Sequence, residues 1–375
     1  MEWKVHNPGG QFRVVVTKEL PGTRWLQVLS AADAEVHVAT STDVLALETI
    51  RAAIGGRCAG AIGQLTEPWG AELFEALRSA GGRAYSNYAV GYDNVQVPEA
   101  TRRGIAVGNT PGVLTETTAE MAMALLFACA RRIVEADGFL RAGKFHGWLP
   151  DLFLGKRLHG ATLGIVGAGR IGAAFARSAA LGHAMDVLYY DVRANDELEG
   201  EFSRLERAGV APHGRRISCR RAATVEEVLQ KADVVSVHTL LDASTRHLMN
   251  AHRLGLMKRD AILINTARGP VIDEAALVEH LRRNPEFRAG LDVFEKEPTL
   301  APGLADLPNA VIVPHIASAT RWTREGMATL AAANVAGILR GFPVAHPFRI
   351  EEFLEGPLPT KTPSILNARE LGLVA

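Results

Sequence analysis

Cysteine is scarce in this chain: Cys58, Cys129 and Cys219 are the only three in 375 residues. They are far apart, lack the paired spacing of a zinc site and cannot form an even disulfide framework, so a reducing compartment is expected and a metal is not. Net charge is missing too, since Lys plus Arg and Asp plus Glu both number 41. No overall field draws the molecule to nucleic acid or to an anionic membrane, which leaves small molecules as the expected partners. Long apolar runs are also absent. The longest helical one, residues 121–130, is too short to span a bilayer and is closed by Arg131 and Arg132, so the sequence predicts a soluble protein. Residues 1–10 hold Glu2 and a Pro8-Gly9-Gly10 turn with no apolar stretch, and neither a signal peptide nor a full transit peptide is visible. The last residues, Leu371-Gly372-Leu373-Val374-Ala375, are not a Ser-Lys-Leu type of peroxisomal address.

What is present is enough apolar content, 47%, to bury a substantial core, and a length that favours two domains. Short apolar strand candidates at residues 12–17, 36–39, 60–63, 84–87 and 105–108 alternate with helix-like stretches, which reads as one α/β unit. A Pro-free helical segment over residues 115–143 follows, long enough to bridge two domains, and then an irregular stretch up to Gly155. A second α/β series has strand candidates at 162–166, 186–190, 234–238, 261–265, 288–293 and 310–313, and predicts a parallel doubly wound sheet. Residues 193–221, charged and weakly periodic, read as an exposed insertion after its second strand. A helix over 324–340 and a Pro-rich tail are too little for a further domain and are expected to return to the first unit.

Gly167-Ala168-Gly169-Arg170-Ile171-Gly172 lies between an apolar run and a helical stretch. In that setting the first glycine permits a tight turn, the second lets backbone approach a pyrophosphate, and the third allows close helix packing while the helix N-terminus faces the phosphates. Asp191 ends the next strand about 20 residues on, where a carboxylate would accept hydrogen bonds from an adenosine ribose. This favours NAD(H) over the phosphorylated coenzyme, with nearby Arg193 arguing the other way and a plain polar strand end as the bland alternative.

Ligands of open α/β sheets bind outside the carboxyl ends of strands. Arg268, Glu297 and His315 each follow a strand candidate of the second series. Reduction of a 2-oxo acid needs a cation on the carboxylate, a hydride donor and an acid for the carbonyl oxygen, and Arg268 and His315 are of the right kind, with Glu297 favouring a protonated, oriented imidazole. Taken singly, Arg268 reads equally as a solvated loop charge, Glu297 as a turn residue before Pro298, and His315 as one of 12 histidines.

Together these residues resemble the D-isomer-specific 2-hydroxyacid dehydrogenases, and within them the NADH-dependent hydroxypyruvate reductases of plants and algae. The likeness covers nearly the whole chain and is carried by Pro21-Gly22-Thr23-Arg24-Trp25 and by residues 86–94, 107–120, 164–172, 269–280, 290–294 and 313–331. It implies two Rossmann-like doubly wound α/β domains, with a cofactor domain at 119–320 inserted into a substrate-binding domain made of 1–118 and 321–375. It also implies an Arg268, Glu297 and His315 catalytic set, Asp292 near the nicotinamide amide, His238, Thr239 and Thr266 along the cofactor cleft, and the backbone of Ala89, Val90 and Gly91 on the substrate carboxylate. For the last loop a plain tight turn, and for His238 a satisfied core histidine, stay open. The resemblance further implies a homodimer in which residues 141–155 reach toward the partner; Trp148 entering the neighbouring active site and a plain packed surface Trp both stay open. The chain's terminus departs from the plant enzymes, so a mitochondrial or cytosolic setting is expected over a peroxisomal one. Another 2-oxo-acid reductase, such as one for glyoxylate, is the nearest alternative, and an NAD(H)-sensing corepressor-like binding protein is the alternative of another class.

Overall fold

The computed structural model describes residues 2–345 and 348–374, so Met1 and Ala375 of the termini read above lie outside the described residues. The chain divides into two compact units, 1–114 with 319–375 and 115–318. Each carries its own sheet, mixed in unit 1 and wholly parallel in unit 2.

Unit 1 holds β1 (Trp3–His6), β2 (Phe12–Val16), β3 (Ala34–Ala39), β4 (Gly60–Gly63), β5 (Ala84–Asn87) and β6 (Ala106–Gly108) in the order β1-β3-β2-β4-β5-β6. Only β1 runs antiparallel, on the β3 edge; the sequence reading placed no strand there. The inner strands are buried on both faces, as Val14, Val15 and Val16 are, which is why they read as continuous apolar runs. Strand order reverses between β2 and β4, the position where the carboxyl ends leave a crevice. The helix Arg321–Arg340 opens on Thr320, whose hydroxyl accepts from Thr323 N, and ends at Gly341 in the left-handed conformation. It packs on the helix Arg24–Ala31 and on β5. The tail then runs back along β6, with Leu366 N donating to Val107 O at 2.8 Å.

Unit 2 holds β7 (Thr162–Val166), β8 (Asp186–Tyr190), β9 (Cys219–Arg221), β10 (Val234–Val237), β11 (Ile262–Asn265), β12 (Arg288–Leu291) and β13 (Ala310–Ile312). All pairings are parallel, in the order β13-β12-β11-β10-β7-β8-β9, the doubly wound arrangement with its reversal between β7 and β10. Apolar clusters cover both faces of the sheet.

Two expectations need correction. The helix expected over 115–143 is two helices, Thr115–Ala130 and Ile133–Arg141, separated at Arg132 with φ +54°. The first packs Ala119, Ala122, Leu125, Leu126 and Cys129 into the unit 2 core, whereas the second buries no residue fully and is held through Glu135, which pairs with Arg132 at 2.7 Å and Arg288 at 2.5 Å. The first helix thus lies wholly in unit 2, and the division falls at 114/115 and 318/319, a few residues before the expected 118/119 and 320/321. The supposed insertion at 193–221 contains the helix Asp196–Arg207 and the edge strand β9. Only Leu198 and Phe202 of that helix are buried, so its apolar signal is thin. Its ends are instead specified by charge and capping: Asn195 accepts from Leu198 N, with Asp196, Glu197 and Glu199 in the first turn and Arg204 and Arg207 in the last.

Candidate active site

The glycine loop leaves the end of β7 at the strand-order reversal of unit 2. Gly167 has φ +96°, and a Cβ there would stand 2.7 Å from the carbonyl carbon of His238 and 2.9 Å from Thr239 N, so the β7 and β10 ends meet this closely only with glycine. Gly172 sits buried in the first helical turn against Gly167 O. Around Gly169 there is open space, with no protein atom within 4 Å of a Cβ position. The N–H groups of Arg170 and Ile171 open the helix Arg170–His183 and, like all first-turn amides, have no intrahelical acceptor. These groups fit a dinucleotide pyrophosphate.

Asp191 follows β8 as expected, but its carboxylate is already engaged: Oδ2 accepts from Ala168 N at 2.8 Å and Oδ1 from Arg193 N at 3.1 Å. Asn195 Nδ2 adds a bond of 2.7 Å to Ala168 O. Asp191 is thus a staple of the glycine loop as well as a ribose candidate, its remaining lone pairs being what a hydroxyl could use.

His238 meets the glycine loop through its backbone, and its ring takes the satisfied-histidine alternative. Its Nε2 lies 2.8 Å from Ser236 Oγ inside the unit, and burial pushes the imidazole down to about 4, so the ring is neutral and structural while its backbone forms the wall facing Gly167. The hydroxyls of Thr239 and Thr266, by contrast, are buried and have no hydrogen-bond partner among the described residues. Orphaned buried hydroxyls are destabilising unless a ligand or water satisfies them, and at these two strand ends they suit the cofactor cleft.

Beyond β11, Asn265 builds the turn that carries Arg268: its Oδ1 accepts from Ala267 N at 3.0 Å and its Nδ2 donates to Arg268 O at 2.9 Å. The half-buried Arg268 gives Nη1 to Ala267 O at 2.8 Å. A Cβ on Gly269 would overlap the carbonyl of Phe294, so glycine is what lets the segment bearing Glu297 lie against the Arg268 turn. Glu297 Oε1 accepts from Phe294 N at 3.0 Å, and Oε2 meets His315 Nδ1 at 2.8 Å. Burial pushes the Glu297 carboxyl up, but the bond and charge of His315, the Phe294 N–H and the Arg268 charge outweigh it and hold the group below its ordinary value. Both side chains keep an open edge, 26% exposed for His315 and 28% for Glu297.

Asp292 does not present its carboxylate to a cleft. It is fully buried, with Oδ1 accepting from Ile316 N at 2.6 Å and Oδ2 from Ala317 N at 2.9 Å, while its own carbonyl accepts from His315 N at 2.9 Å. That clamp holds His315 at φ +53°, a conformation few non-glycine residues adopt. Burial raises the Asp292 carboxyl, opposed by those two N–H groups and the His315 charge. Asp292 is therefore a positioning residue for the His315 turn. Sequence reasoning missed Glu274, whose buried carboxylate accepts from Glu295 N at 2.6 Å and Ala301 N at 2.7 Å and ties down the Glu297 segment. In sequence it reads as an ordinary acidic first helical turn.

In unit 1 the Ala89-Val90-Gly91 loop follows β5. Its three carbonyls are turned inward, onto Thr110 N at 3.0 Å, Asn109 Nδ2 at 2.8 Å and Asn87 Nδ2 at 2.9 Å. Among the described residues none of its three amides has a protein acceptor. Among the described residues no group of three or more His, Cys, Asp or Glu could hold a metal, and no helix is long and apolar enough to cross a membrane.

Comparison with known proteins fits this geometry. Residues 123–317 match the model of the D-isomer specific 2-hydroxyacid dehydrogenase, NAD binding domain. The chain is 56% identical to a glycerate dehydrogenase of Cucumis sativus, covering 98% of each sequence. It is 43% identical to a glyoxylate reductase of Korarchaeum cryptofilum, over 88% of this chain and 93% of that one. Among solved structures, the TT0316 protein of Thermus thermophilus superposes with a TM-score of 0.77 at 39% identity, covering 95% of this chain and all of that one. The chain belongs to the D-isomer specific 2-hydroxyacid dehydrogenase family, and residues 123–317 are its NAD-binding domain.

Proposed function

We propose that this protein reduces hydroxypyruvate to D-glycerate with NADH, and that Arg268, Glu297 and His315 are the residues that carry the reaction. The observation behind this reading is the 2.8 Å contact of Glu297 with His315 Nδ1, under the charge of Arg268, in a chain that is 56% identical to a glycerate dehydrogenase. The dinucleotide, when bound on the Gly167 loop, supplies the hydride. Arg268 pairs with the substrate carboxylate and polarises the 2-oxo group, a charge-assisted contact that neutral groups cannot replace. His315, with Nδ1–H committed to Glu297, carries its second proton on Nε2 and delivers it to the carbonyl oxygen as the hydride reaches carbon, so one C=O becomes one CH–OH. The neutral imidazole that remains keeps its Nδ1–H on Glu297 and is the base for the reverse direction.

Glyoxylate shares the 2-oxo-acid part that these groups contact, so preference rests on residues beyond the catalytic set. Steady-state oxidation of NADH with hydroxypyruvate, glyoxylate and pyruvate in parallel decides. Hydroxypyruvate is expected to have the highest kcat/KM, and absence of turnover on all three would favour a nucleotide sensor instead. Phe145, Trp148, Leu149 and Leu154 are exposed, Trp148 by 81%, and we assign this apolar stretch to a homodimer contact.

A further inference from the structure

Unit 1 carries a second set of groups without partners, and they lie side by side. Strands β4, β5 and β6 are adjacent and parallel, with Gly63 opposite Asn87 and Ser86 opposite Gly108. Gln64 follows β4, the Ala89-Val90-Gly91 loop follows β5, and Thr110 follows β6. Backbone bonds lock the three ends together: Tyr88 N donates to Gly63 O at 2.9 Å and Thr110 N to Ala89 O at 3.0 Å. Each end then carries polar atoms that no described residue satisfies: the buried Gln64 Nε2 on one flank, the loop amides in the middle and the buried Thr110 Oγ1 on the other.

The Gln64 turn is rigid. Gln64 N donates to Glu67 Oε2 at 3.1 Å, Glu67 N returns a bond of 3.1 Å to Gln64 O, and Asn94 Nδ2 adds a third bond, also 3.1 Å, to the same carbonyl. A fixed main chain with an unused buried amide at its side chain is the arrangement of a recognition group, because a buried unmet donor is destabilising by itself.

We infer that Gln64 reads the C3 hydroxyl of the substrate, and that Thr110 supports the carboxylate from the opposite flank. This rests on the proposed reduction of hydroxypyruvate. A carboxylate on the loop amides leaves the distal end of a three-carbon acid to one side. The β4 end, which carries Gln64, is one strand spacing away, about 4.8 Å. The group available there is a hydrogen-bond donor, and the hydroxyl of hydroxypyruvate accepts from it where the methyl of pyruvate cannot. A site built to hydrogen-bond a hydroxyl rejects the analogue lacking it, since its own polar group is then left unpaired. A resident water is the competing occupant.

The test compares kcat/KM for hydroxypyruvate and pyruvate, which differ by that one hydroxyl, in wild type, Gln64→Met, Gln64→Asn and Thr110→Val. The hydroxypyruvate to pyruvate ratio is expected to fall at least about tenfold in Gln64→Met, which keeps the side chain's length without the amide, and to fall less in Gln64→Asn. Thr110→Val is expected to lower both efficiencies by similar factors through KM. Melting temperature and NADH binding monitor folding, and Gln64→Asn decides if the Met variant is unfolded. A ratio unmoved in a folded Gln64 variant, with wild type preferring hydroxypyruvate, would overturn this inference alone and leave water as the occupant. A wild type indifferent to the hydroxyl would overturn the proposed substrate as well.

Discussion

Glu297 Oε2 lies 2.8 Å from Nδ1 of His315, and the other oxygen of the same carboxylate is fixed by Phe294 N at 3.0 Å. One carboxylate therefore sets the orientation of the ring and is itself held. Because the Glu297 carboxyl sits below its ordinary value, the contribution of its ionised form is fully present above the ordinary carboxylate range and is lost as pH falls through the depressed value.

That sign determines what Glu297→Gln does. The amide keeps a hydrogen bond to the ring but loses the charge that favours the imidazolium. The alkaline limb of kcat/KM for hydroxypyruvate reduction is expected to move to lower pH, and profiles of the two proteins under one buffer series check it. A limb that stays in place separates Glu297 from the proton donor.

Arg268→Ala is expected to lower kcat/KM by about a hundredfold to ten-thousandfold, from two charge-assisted bonds of roughly 1.5 to 3 kcal/mol each. NADH binding, followed by nucleotide fluorescence, is expected to survive. Arg268→Lys restores charge without the fork and is expected to recover only part of the loss.

At Asp191 two roles overlap. The 2'-phosphate of NADPH would face an ionised carboxylate a few ångströms away, a repulsion on the order of 4 kcal/mol at an effective dielectric near 20 before screening. Asp191→Ser is expected to shift the NADPH to NADH efficiency ratio by at least about tenfold toward NADPH. Since Oδ2 also holds Ala168 N, the variant is expected to bind both coenzymes less tightly than relief of repulsion alone implies. Kd values for both coenzymes separate the two effects, and an unmoved ratio would remove Asp191 from coenzyme choice.

Much of this was legible because strands buried on both faces leave long apolar signals, and polar residues just past their ends stand out. Arg268, Glu297 and His315 were found that way, and so was the glycine loop. What stayed hidden was decided by groups with no period. Arg132 breaks a helix with neither proline nor glycine, the helix Asp196–Arg207 shows only two buried residues, and Glu274 resembles an ordinary first-turn carboxylate until its two backbone N–H donors are seen. The side chains of Asp292 and His238 bond within the protein for one reason: a polar residue at a strand end can as readily bond the neighbouring backbone or side chain as a ligand, and sequence does not give its direction.

Gly269→Ala tests the packing beneath the site. The new methyl would overlap the Phe294 carbonyl, which backbone movement alone can relieve. A destabilisation of about 1 to 3 kcal/mol is expected, seen as a lower melting temperature, with kcat falling further than the loss of folded protein explains. An unchanged melting curve would show that the two segments are not held together as described.

The central claim is that His315 delivers the proton. Its most direct measurement is single-turnover reduction of hydroxypyruvate at neutral pH by His315→Gln, with NADH Kd determined on the same sample. The amide can hydrogen-bond the carbonyl but has no proton to give, so the rate is expected to fall by about a hundredfold to ten-thousandfold with NADH Kd little changed. A single-turnover rate within a few fold of wild type would contradict the account.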